Sequence, residues 1–248
     1  MTQTAAMTVW CAYAVVGPVD DRLRRAIGEL LLVGDADVAV VVGEVPQSEY
    51  GEDVLPSRLN DRQWLERAVT EHEAVARSLL AVATVVPLRF GSLHRDTHAV
   101  EGFLAEHRED FRDALERVRG RVEVGVKVWL AAPPAEEDVG AATGREYLER
   151  RRAARAEAAR TRATIDERLR EIHARLLATA DEGVLNRPQP RELTGDRREM
   201  AMNAAYLVAA DDDALLTEVE RLRDEHPDLV IDATGPWAPY NFVGGPNA

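Results

Sequence analysis

One cysteine, Cys11, is all this chain of 248 residues contains, so no disulfide can form within it. Cys11 sits in a strand-like run, where a free cysteine is expected as core filling rather than as a nucleophile. No apolar run approaches the roughly 20 residues of a spanning helix, which excludes a membrane-spanning reading. A basic excess is missing too: 44 acidic against 31 basic residues leave a net charge of -13. That balance repels phosphate backbones unless a local basic patch intervenes. Residues 1–6 carry neither the basic nor the apolar region of a signal peptide, so a cytoplasmic protein is expected. There is no G-x-S-x-G, no P-loop and no G-x-G-x-x-G, and Gly43 and Gly51 stand too far apart to cradle a phosphate. Enzyme activity has no positive support; no catalytic residue, metal or cofactor is expected.

What is present describes a globular chain, 46% hydrophobic and 30% charged, of a length better suited to two packed domains than to one core. Its organising stretch is residues 79–88, apolar throughout except for Thr84, which suits a strand buried on both faces. Pro87 withholds a ladder donor, so the strand ends or lies at a sheet edge there. Arg89 then arrives at the rim of a sheet with Phe90 beside it, and Gly91 lets the backbone turn. An arginine so placed needs a carboxylate, a carbonyl or a partner chain.

In chain order, residues 8–16 (TVWCAYAVV) read as a strand stopped by Gly17 and Pro18. Asp20 can cap a helix carrying Leu23, Ile27, Leu30 and Leu31, closed by Gly34. Residues 38–42 form a second apolar run, and 43–60 a loop with room for one short edge strand. Residues 61–80 return to helix, with Trp64, Leu65, Ala68, Val75 and Leu79 toward the core and Glu71, His72 and Glu73 on a charged face. The first domain, 1–119 with a linking helix, is thus predicted as a split-βαβ α/β domain of the ferredoxin-like kind.

A single linking helix is predicted over 97–118, from Val100, Phe103, Leu104, His107, Phe111, Leu115 and Val118. Residues 122–130 alternate, with valines on one side and Glu123, Lys127 and Trp129 on the other, as in a half-buried strand. An acidic loop follows Pro133 and Pro134. Residues 144–181 then read as a helix of roughly 55 Å, apolar only at Leu148, Ile165, Leu169, Ile172 and Leu176. Its Arg/Ala/Glu middle has little to bury, so it is expected to project or to pair with another helix. Strands at 184–193, 198–210 and 229–234 and a helix at 214–225 complete a βαββαβ, ferredoxin-like order for the domain 120–248. The fold class expected is α+β. His94 and His98 have metal-ligand spacing but no clear third ligand. Pro236 and Pro239 restrict the closing segment, and Trp237, Tyr240 and Phe242 give it apolar area, so it is expected to fold back in order.

Four of these stretches together, VPLRFG at 86–91, GRVEVGVKV at 120–128, NAAYLV at 203–208 and TGPWAPYNFV at 234–243, resemble the gas vesicle accessory proteins F and L, with F the nearer. The resemblance covers nearly the whole chain and departs at Ala238 and Asn241, where the family more often has proline and serine. It implies a two-domain, non-catalytic protein with a ferredoxin-like C-terminal domain, at work in the cytoplasm and at the gas vesicle. Its implied partners are the small hydrophobic shell protein and other accessory proteins, with no nucleic acid and no membrane. Arg89, Phe90, Gly91, Trp237, Tyr240 and Phe242 are then the candidate structural or partner-contact residues. From the residues alone a second class stays open, a small-molecule-binding or enzymatic protein of tandem ferredoxin-like domains. Convergent polar groups in a pocket would favour it; an exposed apolar patch or sheet edge would favour an assembly factor.

Overall fold

The computed structural model describes residues 7–131, 144–190 and 198–244, with the side chains of 144–150 outside that description. The chain forms two compact units, Met1–Glu123 with Gly235–Ala248, and Val124–Thr234. The closing segment thus groups with the first unit, although chain order alone assigns it to the second.

The first unit contains β1 (Thr8–Gly17), α1 (Asp21–Ala26), β2 (Leu31–Gly34), β3 (Ala39–Pro46), α2 (Gln47–Tyr50), α3 (Leu55–Arg58) and α4 (Arg62–Leu80). After these come β4 (Thr84–Pro87), β5 (Leu93–His94), α5 (Thr97–Glu106) and α6 (Arg108–Arg117). Its sheet is antiparallel in the order β2-β3-β1-β4, with β5 also on β1. A register shift between Ala12 and Ala14 reverses the alternation of β1. Ala12 and Val15 therefore join Val40, Val42 and Val86 in one core with Leu104, Phe111 and Leu115. Ala14 and Val16 face the other way, with Val41, Val85, Leu23 and Leu79. Burial on both faces is why these strands read as near-continuous apolar runs.

Three expectations need correction here. Leu31 is not helical: Asp20 caps α1 by accepting the Leu23 N–H at 2.8 Å, but the helix ends at Ala26, Gly28 takes φ +60°, and residues 31–34 pair with 39–42 instead. The loop expected at 43–60 holds the end of β3 and the two short helices α2 and α3. The linking helix is two helices, broken at His107 (φ -112°, ψ 18°). The break lets the rings of Phe103, His107 and Phe111 pack at centroid distances of 5.2 to 6.2 Å.

The remaining strands form a second, four-stranded sheet ordered β7-β8-β6-β9, where β6 is Arg121–Leu130, β7 Glu182–Asn186, β8 Glu199–Ala209 and β9 Leu229–Trp237. Helices α7 (Gly144–Leu177) and α8 (Ala214–Glu225) lie between them in sequence. The end of α7 is firmly anchored: Ile172 and Leu176 are fully buried, and Arg175 reaches Glu218 at 2.7 Å and Glu225 at 2.5 Å. Arg168 makes a forked pair with Asp228 at 2.7 and 2.8 Å. Residues 151–164 are exposed at every position, as their composition predicts. The polar side assigned to β6 is wrong in two places, since Glu123 and Trp129 are both buried, each 6% exposed. The acidic loop after Pro134, the Leu148 side chain and residues 191–193 lie outside the described residues.

Candidate partner-contact site

Residues 84–94 run as one outer strand along β1, interrupted by an outward loop. β4 pairs with residues 14–17 of β1 and β5 with Trp10 and Cys11, so the five residues 88–92 stand opposite only Ala12 and Tyr13. Both ends of the loop are tied down. The Leu88 N–H donates to the Tyr13 carbonyl at 3.0 Å, and the Ala12 N–H donates to the Ser92 carbonyl at 2.8 Å. Between them the Ser92 N–H closes a turn onto the Arg89 carbonyl at 3.2 Å, with Gly91 at φ +90°. Glycine is required there for its backbone, since nothing lies within 4 Å of where a Cβ would be. Arg89 is exposed at the tip and makes no ion pair among the described residues.

Phe90 roots the loop in a ring cluster, edge-on to Trp64 at 6.2 Å and perpendicular to His72 at 5.8 Å. The Trp64 indole N–H donates to Glu49 at 2.8 Å. His72 was assigned to a charged surface and is instead 2% exposed. Its Nε2 donates to the Leu88 carbonyl at 2.8 Å, and the Cys11 Sγ lies 3.9 Å from its Nδ1. Burial lowers the His72 pKa and pushes the Cys11 thiol up to about 12, so the imidazole is neutral and the thiol inert. The signal for His72 lay in the sequence, because it continues the four-residue spacing of Trp64, Ala68 and Ala76 on α4.

The closing segment packs into both cores of the first unit. Ala238 and Tyr240 join Val16, Leu79 and Val85, while Val243 joins Val15, Val86 and Phe111. Phe242 is buried, and Arg77 stacks over the half-buried Trp237 at 5.5 Å. Glu123 fixes the segment by accepting from the backbone and side-chain amides of Asn241.

The family described as "Gas vesicle synthesis protein GvpL/GvpF" matches residues 10–244. The chain belongs to the GvpL/GvpF family. It is 37% identical to gas vesicle protein L of a Streptomyces species over 94% of this chain and 91% of that one. It is 29% identical to gas vesicle protein F of Haloferax mediterranei, covering 74% and 72%. Relatives named F and relatives named L thus both match. The crystal structure of gas vesicle protein GvpF from an Anabaena species superposes with a TM-score of 0.66 at 18% identity, covering 96% of each chain. That likeness establishes a shared mixed α+β fold.

Other candidates in this GvpL/GvpF chain do not converge. His94 ends β5 and His98 lies in the first turn of α5, so the pair does not share a helix face; His94 packs on Phe103 at 5.2 Å and His98 faces Glu101 at 3.3 Å. An open groove of about 540 Å³ beside Phe242 is lined by His107, Asp110, Asp113 and Arg117, polar groups that come from α6 and the residue that caps it.

Proposed function

We propose that this chain is a non-enzymatic accessory factor in gas vesicle formation, acting in the cytoplasm and at the vesicle by contact with the small hydrophobic shell protein and other accessory proteins. The family match over residues 10–244 carries this reading. The Arg89 turn is where we place a contact: a rigid base presents an exposed, unpaired guanidinium beside the half-buried Phe90 ring. Arginine and aromatic side chains are both enriched in protein interfaces. Trp237, Tyr240 and Phe242 are read as structural residues that hold the closing segment on the first unit, where Phe242 is buried and Tyr240 packs on its core. We read the chain as two ferredoxin-like α+β domains joined near residue 120, the second carrying the exposed helix. The strand orders support this, because in both sheets the strands of a βαββαβ sequence run second, third, first, fourth.

The test is co-purification of the shell protein and the accessory proteins with tagged full-length chain from vesicle-producing cells. Retention of the shell protein by the wild type and its loss with Arg89→Ala is the expected result. Failure of every vesicle component to co-purify overturns the proposal.

A further inference from the structure

One side of α7 changes character along its length. At about 100° per residue, Arg151, Arg155, Arg162, Leu169 and His173 fall within an arc of about 40°, a track of roughly 33 Å at 1.5 Å per residue. Its first part is basic. Arg151 and Arg155 are exposed and make no ion pair among the described residues, whereas Arg162 reaches Glu199 at 3.2 Å. Its last part is mainly apolar. Leu169 and His173 line a groove of about 210 Å³ with Leu185, Pro188, Ala201 and Met202, and Arg170, Asn186 and Asn203 complete the lining. His173 is held there by a 2.8 Å hydrogen bond to the Tyr206 hydroxyl. Leu185, on the outermost strand of its sheet, is 58% exposed, an unusual position for a leucine beside an apolar groove.

We propose that this face is a docking track for one helical partner segment, apolar at the end that seats beside Leu185 and acidic at the end that runs along Arg151 and Arg155. Charge selects the acidic end: residues 151–164 hold five arginines against one glutamate in a chain of net charge -13. Ala158 and Ala159 flank the arginines and leave room for a second helix axis to approach, as the side chains at a helix contact set its spacing. Nucleic acid fits less well, since residues 151–164 offer no aromatic ring on which a base could stack. The inference stands on the second unit alone and does not depend on what the Arg89 turn contacts.

The experiment places a photo-cross-linking benzoylphenylalanine at Ala158 or at Leu185 of the full-length chain in its native cells, and maps each adduct by mass spectrometry. Both positions should mark the same partner polypeptide within about 20 residues of each other, the length of helix that spans the track. The Leu185 adduct should fall among aliphatic residues and the Ala158 adduct beside aspartate or glutamate. The double substitution Arg151→Glu, Arg155→Glu, on an exposed helix face, should leave the melting temperature unchanged and lower both yields roughly tenfold or more through like-charge repulsion. Adducts to nucleic acid, to a second copy of this chain or to unrelated polypeptides at the two positions overturn the proposal. So do the absence of adducts and yields unmoved by charge reversal.

Discussion

Glu123 and Asn241 meet through two hydrogen bonds, the carboxylate accepting the Asn241 backbone N–H at 2.8 Å and its side-chain amide at 2.7 Å. A buried carboxylate thereby holds a segment that lies far away in sequence. Glu123→Ala strands the Asn241 backbone N–H and is expected to cost about 1–3 kcal/mol, read as a shift in the urea midpoint.

The same pair gives a pH dependence. Burial raises the Glu123 pKa above its usual 4.5, against the opposing pull of the Asn241 bonds. The folded state then holds the proton more tightly than the unfolded one. Stability from this group is full below about pH 4.5 and is lost as pH climbs through the raised value. Glu123→Gln, which cannot ionise, should gain on the wild type between about pH 4.5 and 7. A stability gap that stays constant over that window contradicts the assignment.

Histidine 72 has the opposite sign. Burial lowers its pKa below the usual 6.5, so its contribution is full above about pH 6.5 and falls as the solution is acidified. His94 and His173 are lowered by burial as well, and melting temperature should drop between about pH 6.5 and 5. His72→Leu should flatten part of that slope. It also leaves the Leu88 carbonyl without its donor, at a cost of about 1–3 kcal/mol at neutral pH. An unchanged slope in the variant would mean that other groups carry the acid response.

The loop that His72 supports separates stability from assembly. Arg89→Ala removes an exposed side chain and should change stability by no more than about 0.5 kcal/mol, while vesicle yield falls. Gly91→Ala meets no atom, so its cost is the positive φ alone, about 1–2 kcal/mol. Thermal melts and counts of floating vesicles check both. Wild-type yield with unchanged melting in Arg89→Ala removes the case for a contact at the tip.

Phe242→Ala should cost about 3–5 kcal/mol, as a buried phenylalanine lost to a cavity. Trp237→Ala loses, among its interactions, a contact with Arg77 worth about 0.5–1 kcal/mol at a partly exposed site. Hydrogen exchange across residues 7–123 tests this. Protection there that survives Phe242→Ala would make the segment dispensable to the first unit.

How much of this was legible follows from what each signal measures. Apolar runs revealed β1, β3 and β4 because a sheet buried on both faces leaves no alternation to misread. The exposed middle of α7 was equally plain, since alanine and arginine offer nothing to bury. Leu31 misled because leucines at helical spacing also fit a short strand, and Gly28 together with pairing to β3 decided the matter. Charge counting hid His72 and Glu123. Flanking acids made the histidine look solvated, and only the Trp64, Ala68 and Ala76 spacing placed it inside. The partner of Glu123 lies in a segment that no local pattern connects to β6. The turn that carries Arg89 was legible from its neighbours, because Pro87 and Gly91 restrict the backbone on both sides of it.

The way the chain divides has a consequence for its biosynthesis. The first unit takes Ala238, Tyr240 and Val243 into its cores, yet the rest of it ends at Glu123. Domains generally fold in the order in which they leave the ribosome. Here the part translated first receives Ala238, Tyr240 and Val243 only after the second unit has been made, so synthesis and closure of its two cores are separated by the whole length of that unit.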